Sequence, residues 1–233
     1  MPSLYLIPAP IADATFGQVL PAQVIDVLTT VDVFFVENVR TTRRLIGSLK
    51  LGRVIDELTF YTLDKDTPEA ETRQQLQTAM KQGRDVGVLS EAGCPGVADP
   101  GAVVVSLAHQ LNIPVVPLVG PSSILLALMA SGMSGQSFVF HGYLPIEKAD
   151  KLRKILHIER EAQTRRQTQL FIETPFRNNH LLADILATCQ PETRVCVACN
   201  LTAADGFVRT MTVRDWKSQK IDLHKKPTVF LLL

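Results

Sequence analysis

Val86-Gly87-Val88-Leu89 runs straight into Ser90-Glu91-Ala92-Gly93-Cys94-Pro95-Gly96-Val97-Ala98-Asp99-Pro100-Gly101, and an apolar helical pattern follows to about Leu111. A short apolar run without polar alternation reads as a strand buried on both faces. The loop behind it holds three glycines and two prolines in twelve residues. Glycine permits positive φ and close backbone approach, and proline stiffens the chain around it. Such a loop either presents backbone groups to a polar ligand, with Glu91 and Asp99 adding charge at its edges, or is a tight strand–helix connection. Parallel α/β sheets bind ligands at the carboxyl ends of their strands, where this loop would lie.

Outward from this stretch the pattern repeats. Leu4-Tyr5-Leu6-Ile7 reads as a first strand, and Leu20, Val24, Val27, Leu28 and Val31 fall at helical spacing. Asp32 to Glu37 is a second strand, Arg40 to Leu49 a basic helix, and Ile55 to Leu63 a short strand with a loop. Pro68 to Lys81 is a helix with proline and acids in its first turn. Pro114 to Val119 is a further strand, and Gly120-Pro121-Ser122 turns the chain into an apolar helix to about Met129. This βαβα order predicts a parallel sheet covered by helices. The second half changes character. Strands at 137–140, 170–173, 195–199, 207–213 and 228–233 outnumber the helices at 147–166 and 178–188. The reading is an α/β chain of two domains, 1–118 with a mostly parallel sheet and 119–233 with a mixed sheet.

The chain has 233 residues, 46% of them hydrophobic, so it can bury a real core. With 24 basic against 23 acidic residues the net charge is +1, which excludes a globally basic nucleic-acid coat but not a local basic patch. No apolar run reaches the roughly 18 residues of a membrane span, and the N-terminus lacks the basic flank of a signal peptide. Four cysteines without secretory spacing predict a cytoplasmic protein.

Two more strand ends carry polar groups. The second strand ends in Glu37-Asn38-Val39-Arg40, and the 170–173 strand ends in Glu173-Thr174-Pro175-Phe176-Arg177. Each sets a carboxylate at a sheet mouth with an arginine a few residues on. The alternative for each is a helix-start acid with a solvated arginine. Gly-x-Gly-x-x-Gly, Walker and His-Glu-x-x-His motifs are absent, which weighs against a dinucleotide dehydrogenase and against a kinase. Cys196 and Cys199 would face opposite sides of one strand, so no metal site is expected there. Cys94 reads as a space-filling thiol and His141 as a satisfied interface histidine, with a base as its alternative. Cations cluster in 147–166 and in Arg40, Arg43, Arg44 and Lys50, but acids interleave the first cluster.

These segments resemble, in order, those of the tetrapyrrole methylase family, the class III S-adenosylmethionine-dependent methyltransferases. The matching stretches are Leu4 to Ile11, Glu37 to Arg40, Ser90 to Gly101, Gly120-Pro121-Ser122, Gly142-Tyr143-Leu144-Pro145 and Glu173 to Arg177. The resemblance implies two α/β domains with S-adenosylmethionine in the cleft between them, and a homodimer. By that analogy Pro10, Glu91, Gly93, Pro95, Gly96, Asp99, Pro121, Ser122, Tyr143 and Thr174 lie near the cofactor, and no metal or membrane takes part. Within the family the similarity points to the branch that methylates a cytidine 2′-hydroxyl in 16S rRNA, so small-subunit rRNA or the subunit is the expected partner. Glu37 is then the first candidate for general base and Glu173 the second, and Arg40 holds a phosphate or orients Glu37. Methylation of a tetrapyrrole ring carbon, and cofactor binding without catalysis, stay open as alternatives. Several positions depart from the family's pattern. Asn38-Val39 stands for an acid and a threonine, Glu91 for aspartate, and Ala12-Asp13 for Gly-Asn. The 63–67 segment lacks a His-Glu-x-Asn-like stretch, and Asn200 to Asp205 replaces Glu-Leu-Thr-Lys and acids.

Overall fold

A computed structural model describes residues 1–64 and 66–233 of the chain; Lys65, inside the divergent 63–67 stretch, lies outside the described residues. The chain forms two compact units, Met1–Ser122 and Ser123–Leu233.

In the first unit the elements run β1 (Leu4–Leu6), α1 (Phe16–Val19), α2 (Ala22–Thr30), β2 (Val33–Val36), α3 (Val39–Ser48), β3 (Thr59–Thr62), α4 (Glu69–Lys81), β4 (Val86–Leu89), α5 (Gly101–Gln110) and β5 (Val115–Pro117). The five strands form one sheet in the order β3-β2-β4-β1-β5, and every pairing is parallel. Alternate residues of each strand therefore face two different layers. Leu4, Val33, Phe35, Val86 and Val88 pack with Leu76, Val104 and Leu107 of α4 and α5. Ile7, Phe34, Val36 and Leu89 pack with Val24, Leu28 and Ile46 of α2 and α3. Helices on both faces explain why β2 and β4 read as unbroken apolar runs. All parallel strands end on one edge, and β4 lies between β1 and β2, so its loop meets theirs.

In the second unit the elements are α6 (Ser123–Ala130), β6 (Phe138–Tyr143), α7 (Lys148–Arg165), β7 (Thr168–Ile172), α8 (Asn178–Thr188), β8 (Arg194–Cys199), β9 (Phe207–Thr212), α9 (Val213–Trp216) and β10 (Thr228–Leu232). Its sheet has the order β6-β7-β10-β8-β9. Only β6–β7 is parallel; β10 and β8 pair antiparallel to their neighbours. Phe171, Val197 and Phe230 face α7, α8 and α9, with Trp216 fully enclosed. Leu170, Cys196 and Leu231 face Ala127 and Leu128 of α6. Cys196 and Cys199 thus lie in opposite layers, and all four cysteines are free thiols.

The pattern missed two short helices and mistook three boundaries. α1 and α9 have four residues each, too few to show a period. The strand expected to reach Val213 stops at Thr212, whose hydroxyl accepts the Asp215 N–H at 3.1 Å and caps α9. β6 continues past Phe140 to Tyr143 through a register shift, with Gly142 at φ 64. The 55–63 stretch resolves into a 3-10 turn, Ile55–Glu57, followed by β3. Among the described residues no helix is long and apolar enough to cross a membrane.

Candidate functional site

The loops after β1, β2, β4 and β5 meet on one edge of the first sheet. Ala9 and Gly93 pair across the first and third of them, with Ala9 N–H to Gly93 O at 2.9 Å and Gly93 N–H to Ala9 O at 3.0 Å. Pro121 O, after β5, accepts the Cys94 thiol at 3.4 Å. Pro95 and Pro121 are buried, Pro10 and Ser122 half-buried, and Glu91 exposed.

The Ser90–Gly101 loop is held by one side chain. Asp99 Oδ1 accepts the N–H of Gly96 at 2.7 Å and of Gly101 at 2.6 Å. A carboxylate taking two backbone donors pins both ends of the turn. Gly93 and Gly96 sit at φ 76 and 82, where a side chain would be strained. A β-carbon on Gly101 would come within 2.8 Å of that same Asp99 oxygen and 2.9 Å of Gly96 N, so glycine there permits the clasp. Asp99 Oδ2 is buried without a hydrogen-bond partner. Sequence reading placed Asp99 beside a cofactor; the loop-holding role needed the tertiary contacts.

Glu37 lies at the end of β2, half-buried, and its Oε2 accepts the Glu91 N–H at 3.3 Å. Burial raises its pKa above the ordinary 4.5; the Glu91 N–H pulls the other way, and the charges of Glu91 and Asp99 add to the rise. The next residue, Asn38, caps α3 through its side-chain oxygen on Thr41 N–H at 3.1 Å. An asparagine replaces the family's acid there and still serves as a good N-cap. Arg40 is exposed and makes no ion pair among the described residues. Thr41 Oγ1 lies 3.4 Å from Glu91 Oε1, so the longer acid at position 91 has a partner on α3.

Two cavities flank this loop. One, of about 770 Å³, is lined by Glu37, Asp64, Glu69 and Asp99 together with Ala98 to Pro100. The other, of about 400 Å³, lies between the loop after β1 and α3 and reaches Ser90 and Glu91. Among the described residues no three His, Cys, Asp or Glu side chains converge closely enough to hold a metal ion. Burial, then the charge of Asp99, pushes the Cys94 thiol up, so it is not primed as a thiolate.

In the second unit Glu173 stands directly after β7, and Tyr143 pairs with Ile172 beside it. Glu173 is buried; its Oε1 accepts the Thr174 N–H and an Arg177 N–H, both at 2.7 Å. Its Oε2 and the Arg177 Nε are buried without partners. Tyr143 is largely exposed and Thr174 half-buried. His141 Nε2 lies 2.7 Å from Gln169 Oε1. Burial lowers its pKa against that hydrogen bond. On α7, Arg153 pairs with Asp150, Arg165 with Glu161 and Lys151 with Asp184, as a helix laced by ion pairs would. The predicted site residues therefore fall into two sets. Pro10, Glu37, Arg40, Glu91, Gly93, Pro95, Gly96, Asp99, Pro121 and Ser122 belong to one edge of the first unit. Tyr143, Glu173 and Thr174 belong to one strand end of the second.

Comparison with known proteins places this architecture. The family model for tetrapyrrole (corrin/porphyrin) methylases matches residues 3–216. A ribosomal RNA small subunit methyltransferase I of Vibrio cholerae is 32% identical over 235 residues, covering 100% of this chain and 77% of the relative. The protein of that name from Micromonospora olivasterospora is 34% identical over 217 residues, covering 91% and 65%. The one from Bacillus subtilis is 30% identical over 210 residues, covering 88% and 66%. The chain thus spans about two thirds to three quarters of the length of these relatives. Among solved structures, diphthine synthase aligns with a TM-score of 0.71 at 14% identity, over 99% of this chain and 89% of that one. The methyltransferase CobJ aligns at 0.66 and 15%, over 100% and 94%. The shared fold and the family match over nearly the whole chain agree with the loop-edge geometry, and the chain belongs to the tetrapyrrole methylase family of methyltransferases.

Proposed function

We propose that the chain transfers a methyl group from S-adenosylmethionine to small-subunit ribosomal RNA, at a cytidine 2′-hydroxyl, as a cytoplasmic homodimer. The similarity to three proteins named for small-subunit rRNA methylation supports the substrate. The observation that carries the chemistry is Glu37: a half-buried carboxylate with a raised pKa at the carboxyl edge of the sheet, with no ion pair among the described residues.

The residues suit the donor. Bare backbone at Gly93 and Gly96 allows close approach, and Glu37, Asp99 and their acidic cavity favour a ligand bearing sulfonium and ammonium charges. When bound, S-adenosylmethionine supplies a methyl group already activated on sulfur. The protein's task is then alignment and proton removal. Asp99 holds the loop in one shape, so its backbone groups need no reordering. Glu37 uses Oε2 to accept the Glu91 N–H, which leaves Oε1 to take the proton of the attacking hydroxyl. The raised pKa makes it a stronger base than an ordinary carboxylate.

The test is methyl transfer from labelled S-adenosylmethionine to small ribosomal subunits purified from a strain lacking the gene, with mass spectrometry of the rRNA nucleosides. One new 2′-O-methylcytidine, absent with Gly96→Arg, is the expected result. Label in a tetrapyrrole and none in RNA would replace this reading with the ring-carbon alternative. Light scattering of the purified protein tests the dimer.

A further inference from the structure

The cavity of about 400 Å³ borders the expected cofactor residues Pro10 and Glu91, but no step above uses its far side. One wall is a face of α3: Thr41, Arg44, Leu45 and Ser48 recur at helical spacing and all line it. The facing wall is the loop after β1, with Ala12, Ala14 and the Asp13 carboxylate, and Phe16 at the start of α1. Ser90 and Glu91 close it toward the glycine-rich loop. Its size falls within the range of pockets that enclose small organic ligands.

Its lining mixes one guanidinium, Arg44, with two carboxylates, Asp13 and Glu91, whereas the described charged groups of its neighbour are all acids. Among the described residues the larger cavity carries the carboxylates of Glu37, Asp64, Glu69 and Asp99 and no arginine or lysine. The smaller one has the Arg44 guanidinium on its wall, with Arg40 one helical turn earlier. Both are exposed, and neither makes an ion pair among the described residues. Arg43 on the same helix, by contrast, is paired with Asp56. The Arg44 guanidinium, with the Phe16 ring across the cavity, suits a phosphate attached to a flat heterocycle. The carboxylates of Glu91 and Asp13 accept hydrogen bonds and donate none, which suits a heterocycle with an exocyclic amine, as cytosine has.

We propose that this cavity takes one ribonucleotide of the acceptor RNA, its amine-bearing base enclosed against Phe16 and Glu91 and its phosphate on Arg44. This rests on RNA being the methyl acceptor. The test measures binding of a short, cytidine-containing single-stranded RNA to the whole protein by fluorescence anisotropy across a salt series. S-adenosylhomocysteine binding is followed by calorimetry on the same samples. Arg44→Gln is expected to weaken RNA about tenfold and to lower the salt slope by about one. Ala12→Phe fills the cavity and should weaken RNA at least as much, and S-adenosylhomocysteine affinity should stay unchanged in Arg44→Gln. RNA binding equal to wild type in Arg44→Gln and Ala12→Phe overturns the cavity assignment and leaves the RNA reading standing. Loss of S-adenosylhomocysteine binding in Arg44→Gln, an exposed position whose change leaves the core intact, assigns the cavity to the donor instead and also overturns it. No salt-dependent RNA binding by the wild type removes the RNA reading and this assignment together.

Discussion

Glu37 and Glu173 look alike in the sequence: each ends a strand and precedes an arginine by three or four residues. In the structure they differ in almost every respect. Glu37 is half-buried, takes a single backbone N–H at 3.3 Å, and among the described residues has the acids Glu91 and Asp99 near it and no ion pair. Glu173 is fully enclosed and clasped by Thr174 N–H and Arg177. Arg40 makes no ion pair among the described residues, whereas Arg177 turns back onto its carboxylate four residues earlier. A carboxylate kept away from cations can accept a proton. One locked in an ion pair holds the start of a helix in place.

Breaking this comparison starts with the largest expected effect. Glu37→Gln should lower the rate of methyl transfer by about 10²–10⁴-fold, the usual contribution of a positioned base. Single-turnover assays should find Glu173→Gln far closer to wild type. If Glu173→Gln proves the more damaging of the two, the roles assigned here are reversed. Next in size is stability. Arg177→Ala leaves a carboxylate that is 1% exposed without its counterion, and denaturant unfolding should report a loss of about 2–3 kcal/mol. Arg40→Ala, on the surface, should stay within about 0.5 kcal/mol of wild type. Equal losses would mean that the two arginines are not the different residues the structure describes.

The pH profile sharpens the comparison further. Because the pKa of Glu37 is raised, the rate should fall as pH drops through a value above 4.5, and that acid limb should vanish in Glu37→Gln. The smallest effect concerns stability again. A carboxyl whose folded pKa exceeds its unfolded one binds more protons in the native state, so its contribution worsens as pH rises between the two values. Glu37→Gln keeps an acceptor for the Glu91 N–H and removes the charge. Its melting temperature at neutral pH should exceed that of wild type by a small margin, and the difference should close below the carboxylate range. A lower melting temperature at neutral pH would show that the charge of Glu37 is well solvated after all.

Much of the fold was legible because its signals are local. Unbroken apolar runs such as Val33–Val36 and Val86–Leu89 are what strands covered on both faces require, and the order of strands and helices then implies a parallel sheet. Short elements escaped because four residues in α1 or α9 carry no period. The candidate site was legible only as a set of strand ends. Glycines and prolines announced the loop, and the family resemblance supplied the donor. Arg44 was legible only as one of a cluster of cations, and Phe16 and Ser48 carried no signal, since a basic residue on an amphipathic helix looks the same whether it lines a cavity or meets solvent.

What the amino-acid order determined alone is therefore the parallel sheet, the position of the glycine-rich loop, and the carboxylates at strand ends, all consequences of neighbours in the chain. Only the tertiary structure decided which carboxylate stands apart from cations, that Asp99 clasps the loop through Gly96 and Gly101, and that the loop parts an acidic cavity from an arginine-bearing one. Those properties depend on burial and on charges brought together from residues far apart in sequence, and neither quantity is written in a strand's own pattern.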